Sequence, residues 1–441
     1  MFDLSKVIKD YDTIFVDLDN TLFNYTHAQN IALQQTSEKF GFSISEYNDA
    51  KLNIKKRDLS SNHHKKELYF KNICETKGLN FYLALDMYTF YDDIFNENLY
   101  ADRSMLKILK KAKRENKKVI AITNYYVLPQ IKKLKTTGFH KYIDHLITSE
   151  EFEVEKPNVK LLNRALELSE TTDKSKVIMF GDSIVDDMGI FGVKYYPYNC
   201  SKLLISISGK SGAGKSTISK VLKNVWDCEI IEGDGYHKYE RGHKEWKNLT
   251  HYDPKANNLI QLGLDIKNIY HELNNINIPI YNHDNGKFDS INTLDSKSLD
   301  VVVIDGLHSL YKEVTGDFVK IKIFIDNAQS DEQKIIRDTK KRNKTEKEVL
   351  DSIETRSEDY AKYIEIQKSY SNFVISVDTN KNVEIEIDKE LELDLSSISF
   401  DTLMKDDKIL VLGRYENLAE MMQEIMTSFK NNRYEMKESN V

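Results

Sequence analysis

The chain has 441 residues, 40% of them hydrophobic and 30% charged, enough apolar material for two or three globular cores and too much for a disordered chain. A net charge of -7 excludes the strongly basic field of a dedicated nucleic-acid binder. Cys74, Cys200 and Cys228 form no CxxC pair, which predicts reduced thiols and a cytoplasmic setting, and no apolar run approaches the ~18 residues of a membrane span. A soluble chain acting on small molecules is expected, with no nucleic-acid or membrane partner and with homo-oligomerisation open.

The run "YDTIFVDLDNTLF" is apolar and β-rich and ends in acidic residues, which predicts a buried parallel strand opening into a loop. From about Tyr25 to Leu99 the apolar spacing becomes helical, with Gly41 and Gly78 as stops. Strand-like runs return in "KKVIAITN", "HLITS" and "KVIMFGDS", each after a helical stretch, the alternation of a doubly wound parallel sheet. At about residue 201 the pattern restarts with the strand "LLISIS", a glycine-rich loop and the helix "TISKVLKNVW". The strand "EIIEGD", a polar segment rich in His and Tyr, the helix "ANNLIQLGLDIKNIYHEL" and the strands "VVVIDG" and "KIKIFIDN" follow. The charged stretch from Ser330 to Ser369 reads as one helix. Beyond about residue 385, acidic and apolar positions alternate before a last amphipathic helix, "ENLAEMMQEIMTSF"; extra edge strands and a dimer contact are both open there.

Asp17 and Asp19 stand where the first strand ends, the usual ligand-binding edge of an open α/β sheet. One carboxylate there can attack while the other handles a proton, although a bare DxD also suits a solvated loop with a helix cap. Three further groups lie at or just after predicted strands: Thr123 with Asn124 beside it, Lys156 in "EKPN", and Asp182 with Asp186 and Asp187 in "GDSIVDD". This set in this order resembles the haloacid dehalogenase superfamily, from about residue 10 to 199. The resemblance implies that Asp17 is a nucleophile forming an aspartyl phosphate, and that Asp19 protonates the leaving oxygen and later activates water. It further implies that Thr123, Asn124 and Lys156 hold phosphoryl oxygens, and that Asp182 joins Asp17 and Asp19 around Mg²⁺. A cation and fixed donors suit charge spread over phosphoryl oxygens, and hard Mg²⁺ favours carboxylates. An acid at Asp19 points to phosphatase rather than dehalogenase chemistry. The helical stretch falls where that family carries a substrate-selecting cap; His63 and His64 within it are assigned no role.

"GKSGAGKS" fits GxxxxGK[ST] between a strand and a helix, the context that makes the motif specific. Backbone N–H groups of Gly209, Lys210, Ser211, Gly212, Ala213 and Gly214 are placed to cradle the phosphates of ATP. Lys215 reaches the β and γ oxygens, Ser216 ligates Mg²⁺ and Thr217 completes the ATP contacts. The later segment "GDGYHKYER" resembles the acceptor segment of the phosphoribulokinase and uridine kinase family, over about residues 202 to 380. The resemblance implies Asp234 as general base, His237 and Arg241 on a sugar acceptor, and Tyr281 and His283 of "PIYNH" in a sugar-side loop. It also implies a lid of Lys334, Arg337, Asp338 and Arg342 closing over ATP, on the Arg337 side, and over the acceptor, on the Arg342 side. Arginines so spaced can clamp phosphate bidentately, which fits an anionic acceptor, although a charged helix also suits a solvated face. Asp305, ending "VVVID", stands where that family usually carries Glu, so its reach to a metal is one methylene shorter.

The expected fold class is therefore α/β, with two doubly wound Rossmann-like domains. Residues 1–199 form the first, with a helical cap at about 22–100; residues 200–385 form a P-loop kinase fold; residues 386–441 extend it without an assigned role. The expected function is bifunctional phosphoryl transfer: a Mg²⁺-dependent phosphatase of a small phosphorylated metabolite, and an ATP-dependent kinase of a hydroxyl on a sugar, polyol or sugar phosphate. Opposed activities on one ester bond would waste ATP, so different positions or successive metabolites are expected. A bidirectional switch at one bond, a nucleoside kinase joined to a phosphatase, and one half serving as a silent regulatory module are the alternatives.

Overall fold

The computed structural model describes residues 7–57, 64–226, 228–271, 273, 275–296, 299–316, 318–341, 344–391, 393, 395–431 and 433–435. The chain divides into two compact units, one of residues 3–201 and 433–441, the other of residues 202–432 with residues 1 and 2.

The first unit contains β1 (Thr13–Val16), β2 (Ala101–Asp102), β3 (Lys118–Thr123), β4 (His145–Thr148), β5 (Val177–Gly181) and β6 (Lys194–Pro197). Five of these lie in one parallel sheet, ordered β4-β3-β1-β5-β6. The central strands read as unbroken apolar runs because both faces are covered, and Ile14, Phe15 and Val16 have no exposure. The edge strand β6, "KYYP", carries no such run and was not expected. Four helices, α1 (Tyr25–Phe40), α2 (Ile44–Arg57), α3 (Lys66–Thr76) and α4 (Leu83–Glu97), form the insert after β1. Gly41 ends α1 at φ 70° and donates its N–H to Ser37 O, a stop that only a residue tolerant of left-handed backbone supplies without strain. Aromatic rings knit the insert together: Tyr91 stacks on Phe95 at 5.9 Å, and Tyr25 meets Phe95 edge-on at 5.4 Å. The helices α5 (Arg103–Arg114), α6 (Val127–Thr136) and α7 (Val159–Ser169) follow, α5 against β3 and α7 against β3 and β4.

The second unit contains β7 (Leu203–Gly209), β8 (Glu229–Glu232), β9 (Asn275–Asn282), β10 (Lys287–Asp295), β11 (Val301–Asp305), β12 (Val319–Asn327), β13 (Phe373–Val377), β14 (Asn382–Asp388), β15 (Asp401–Lys405) and β16 (Lys408–Arg414). Eight form one sheet in the order β15-β16-β14-β13-β12-β7-β11-β8. From β13 to β8 the pairs are parallel, while β14, β16 and β15 add antiparallel. The acidic and apolar alternation thus builds sheet-extending strands: Val383, Ile385 and Ile387 are buried, and Glu384 and Glu386 alternate with them on the outer face. The helices are α8 (Lys215–Trp226), α9 (Leu259–Tyr270), α10 (Ser330–Lys341), α11 (Glu346–Thr355) and α12 (Leu418–Asn431). The helix α12 packs on α8 through buried Met421, Met422 and Ile425, and Trp226 meets Phe429 at 6.3 Å.

Three features correct the expectations. The stretch from Ser330 to Ser369 is not one helix. A capping box restarts it at Thr345, whose hydroxyl accepts from Glu348 N–H while the Glu348 carboxylate accepts from Thr345 N–H, and after Thr355 the chain passes through a short π turn and a 3₁₀ turn to Tyr370. The segment around "PIYNH" is an antiparallel hairpin of β9 and β10. Finally, β17 (Tyr434–Glu435) pairs with β2, so the far end of the chain returns to the first unit. Among the described residues, no helix is long and apolar enough to cross a membrane.

Candidate active sites

In the first unit, Asp17 follows β1, and its backbone N–H is fixed by Phe180 O at 2.9 Å. Lys156 pairs with Asp17 and, at 2.6 Å, with Asp186, and also donates to Ile122 O at 3.0 Å. Its side chain is 2% exposed, so this is a fully desolvated ion triad. Burial pushes the Asp17 carboxyl well above its usual range; Lys156 pulls it down, and Asp186 and Asp19 push it further up. Burial also opposes the charge on Lys156, but Asp17 and Asp186 outweigh it and hold that ammonium above the lysine range. Oxygens of Asp17, Asp182 and Asp186 lie within 4.8 Å of one another, a hard-donor group suited to a divalent cation. Gly181 makes this possible: a Cβ there would stand 2.3 Å from the Cβ of Asp186.

The Asp19 side chain, expected among the metal ligands, lies outside that group of three. Lys133 Nζ holds it at 2.7 and 3.0 Å, and Gln130 Nε2 donates to it at 3.2 Å and to Thr123 Oγ1 at 2.8 Å. Asn124 Oδ1 accepts from Lys156 N–H at 2.7 Å. Asp187 accepts from Gly189 N–H instead of joining the cluster, and His64 pairs with Glu155 at 3.0 Å. His63 lies outside the described residues. Sequence reasoning missed Lys133 and Gln130, and Lys66 beside them; nothing local marks them among so many lysines.

In the second unit the loop after β7 carries Gly209 at φ 149° and Gly212 at φ 92°. A Cβ on Gly212 would lie 2.2 Å from Ser330 O, so the loop closes this tightly only with glycine. Lys215 Nζ donates to Gly209 O at 3.0 Å and Lys210 O at 3.2 Å, curling over the loop. Burial pushes Lys215 below its usual range, with Asp305 and Asp234 opposing. Asp305 accepts from Ser219 Oγ at 3.0 Å; burial raises its carboxyl while Lys215 lowers it, and the Ser219 and Ser216 hydroxyls also bond to it. Lys210 pairs with Asp331 at 2.6 Å, Ala213 is buried, and Thr217 lies in the first turn of α8.

Asp234 lies in a short 3₁₀ turn after β8, with His237 Nε2 at 3.5 Å and His283 Nε2 at 3.3 Å. Burial opposes its ionisation, but His237, His283 and Lys215 outweigh it, so the carboxyl is held below its usual range. His237 Nδ1 donates to Asn257 Oδ1 at 2.6 Å, which leaves Nε2 facing Asp234. Arg241 donates to His283 O at 2.6 Å and Asp284 O at 3.1 Å, tying the segment after β8 to the β9–β10 hairpin. Asp234, His237, Arg241, Tyr281 and His283 all line a cavity of about 290 Å³, together with Lys334, Arg337, Lys344 and Arg356. Arg337 also donates to Ser211 Oγ at 3.2 Å and to Asp338 at 2.8 Å. Arg342 lies outside the described residues. Lys344, Arg356, Trp246 and His251 of the lining were not anticipated; burial pushes the His251 ring down to about 2, so it is neutral.

Residues 11–190 match the haloacid dehalogenase-like hydrolase family, and residues 204–384 match the phosphoribulokinase / uridine kinase family. Over 187 residues the chain is 35% identical to a phosphoribulokinase of Synechocystis sp., covering 41% of this chain and 55% of that protein. Over 211 residues it is 29% identical to a chloroplastic phosphoribulokinase of Triticum aestivum, covering 42% and 52%. A uridine kinase of Ureaplasma parvum is 27% identical over 181 residues, covering 39% of this chain and 86% of that one. The chain thus spans about half the length of the curated phosphoribulokinases it matches. Among solved structures, a phosphoribulokinase from Rhodobacter spheroides has a TM-score of 0.43 at 20% identity, covering 53% of this chain and 97% of that one. A haloacid dehalogenase-type hydrolase from Bacillus subtilis has 0.35 at 17%, covering 42% and 87%. Likenesses of that size add nothing to the assignment, which rests on the sequence matches. Both regions belong to enzyme families: the chain joins a haloacid dehalogenase-like hydrolase region, residues 11–190, to a region of the phosphoribulokinase and uridine kinase family, residues 204–384.

Proposed function

We propose that the first unit is a Mg²⁺-dependent phosphatase of small phosphorylated metabolites, and that the second is an ATP-dependent kinase whose acceptor is a sugar hydroxyl, in its best-supported form that of a sugar phosphate. The observation that carries the first reading is the desolvated triad of Lys156, Asp17 and Asp186 beside a separately held Asp19. In this reading an Asp17 oxygen attacks phosphorus and the leaving oxygen takes a proton from Asp19. Asp19 then removes a proton from the water that hydrolyses the aspartyl phosphate. Lys156 and the hydroxyl of Thr123 hold phosphoryl oxygens, Asn124 orients Lys156 through its backbone, and Asp17, Asp182 and Asp186 hold Mg²⁺. That ion, when bound, neutralises charge on the phosphoryl oxygens.

The second reading rests on an ionised Asp234 facing the cavity from between two histidines. Asp234 takes the acceptor's hydroxyl proton, the loop amides from Gly209 to Gly214 and Lys215 hold the ATP phosphates, and Ser216 with Asp305 hold the metal ion. The lining cations Lys334, Arg337, Lys344 and Arg356 support a phosphorylated acceptor over a neutral nucleoside. The two activities are read as acting on different positions or on successive metabolites.

A substrate screen of the whole chain tests this, with phosphate release and ADP formation as separate readouts. Asp17→Asn is expected to lower phosphate release by about 10³-fold or more and leave ADP formation intact, and Lys215→Ala to do the reverse. Uridine as the preferred acceptor replaces the sugar-phosphate reading with a nucleoside kinase. Both variants acting on one ester bond in opposite directions replaces the relay with a switch, and no turnover in one unit makes that unit a regulatory module.

A further inference from the structure

Lys66, the first residue of α3, occupies a position where a lysine is costly. It is 7% exposed, and its Nζ donates to the Tyr25 hydroxyl at 2.9 Å and to the Tyr125 hydroxyl at 3.2 Å. The rings of Tyr25, Tyr91 and Tyr125 stand 5.3, 5.9 and 5.0 Å from it. Tyr25 and Tyr91 supply no counter-charge, because burial pushes their phenols above their usual range and keeps them protonated. Burial works against the charge on Lys66, and the hydroxyl oxygens of Tyr25 and Tyr125 that it donates to are what offsets that cost. No carboxylate pairs with it among the described residues. A buried ammonium without a counter-charge is expensive, and an uncharged side chain would serve an aromatic layer better if packing were its only task.

Lys133 faces the same two tyrosines, its ammonium 4.5 Å from the Tyr25 ring and 4.7 Å from that of Tyr125. Two buried ammoniums therefore share one pair of rings, and among the described residues Asp19, which pairs with Lys133, is the one carboxylate that pairs with either. Tyr125 adds a second donor. Its oxygen accepts from Lys66, and its own proton has no acceptor among the described residues, whereas Tyr25 gives its proton to Gln29 at 2.6 Å. In the hydrolase reading Asp19 protonates the leaving oxygen, so the departing group moves toward this surplus of positive charge and open donors.

We propose that Lys66 and Tyr125 bind a second anionic group, a phosphate or carboxylate carried on the leaving portion of the ester, so that the hydrolase selects doubly anionic metabolites over esters of neutral alcohols. This rests on the hydrolase reading of Asp17 and Asp19. The whole chain is assayed on a sugar bisphosphate and a phosphorylated hydroxy acid, with glycerol phosphate and p-nitrophenyl phosphate as esters lacking a second anion. Wild type is expected to favour the doubly anionic esters by about tenfold or more in kcat/KM. Lys66→Met is expected to lower that value about 30-fold, mainly through KM, while changing p-nitrophenyl phosphate by less than about threefold. Lys66→Arg keeps the preference, and Lys66→Met melts at the wild-type temperature or higher because a buried charge with no carboxylate partner among the described residues has left the interior.

Equal losses on both ester classes, or an undiminished preference in Lys66→Met, overturns the proposal and makes Lys66 structural. Should Lys66→Met not fold, wild-type preference and the half-buried Tyr125→Phe decide, and a wild type without preference sinks the idea. Hydrolysis of both ester classes without discrimination leaves the phosphatase reading standing and removes only the second-anion site; hydrolysis of none removes both.

Discussion

Two sites in one chain are built around phosphoryl groups with opposite electrostatics. In the hydrolase region carboxylates outnumber the cations that touch them: Lys156 serves Asp17 and Asp186 together, Asp182 lies in the same cluster, and Lys133 holds Asp19. In the kinase region cations outnumber carboxylates around an open cavity. A site read as holding a divalent cation does well to leave negative charge for it, with buried lysines offsetting part of that charge, since an unmatched buried charge is destabilising. A site read as receiving ATP and an anionic acceptor does well to leave positive charge for them to neutralise.

This contrast can be broken by mutation. Removing Lys156 as Lys156→Met leaves two buried carboxylates unmatched, and the first unit is expected to lose about 3–5 kcal/mol of stability in urea unfolding. Arg356→Met in the kinase cavity should cost less than about 1 kcal/mol, because it thins a surplus. Equal losses at the two positions would show that both sites are balanced alike. The next effect is on pH. Burial pushes Lys334 down to about 8, helped by Arg356, Lys344 and Arg337 against Asp338. A depressed lysine loses its proton as pH rises, so KM for an anionic acceptor should stay flat below about pH 7 and climb through pH 8 to 9. Lys334→Arg flattens that climb, since a guanidinium does not titrate there. A wild-type profile unchanged across pH 7 to 9 would remove Lys334 from acceptor binding. The smallest effect concerns the segment between these cations. Thr345→Ala should cost about 1 kcal/mol or less by loss of the cap on α11, and measurably more than Thr355→Ala, which lies at the other end of that helix.

The candidate site residues at strand ends were legible one segment at a time. An apolar run followed by a carboxylate or by glycines identifies a strand edge from local order alone, and Asp17, Thr123, Asp182, Asp305 and the loop from Gly209 to Gly214 stand there. The strand alternation beyond residue 385 was visible too, but whether it extends a sheet depends on a partner: β14 pairs with β13 only because Phe373–Val377 offers it an edge. The break at Thr345 is marked by a local T-x-x-E signal, which the charged pattern running through it on both sides masks.

The sequence by itself determined the two phosphate-handling motifs, their order along the chain and the α/β class, because each depends on residue spacing within a few turns or strands. Only the tertiary structure decided what surrounds a given lysine. Lys66 meets Tyr125 and Lys133 meets Asp19 across separations of 59 and 114 residues, and the charge state of a buried ammonium is set by such neighbours and not by the residues beside it in sequence. For the same reason the release of Asp19 from the carboxylate cluster, and the surplus of cations around Asp234, appear only once distant elements are packed together.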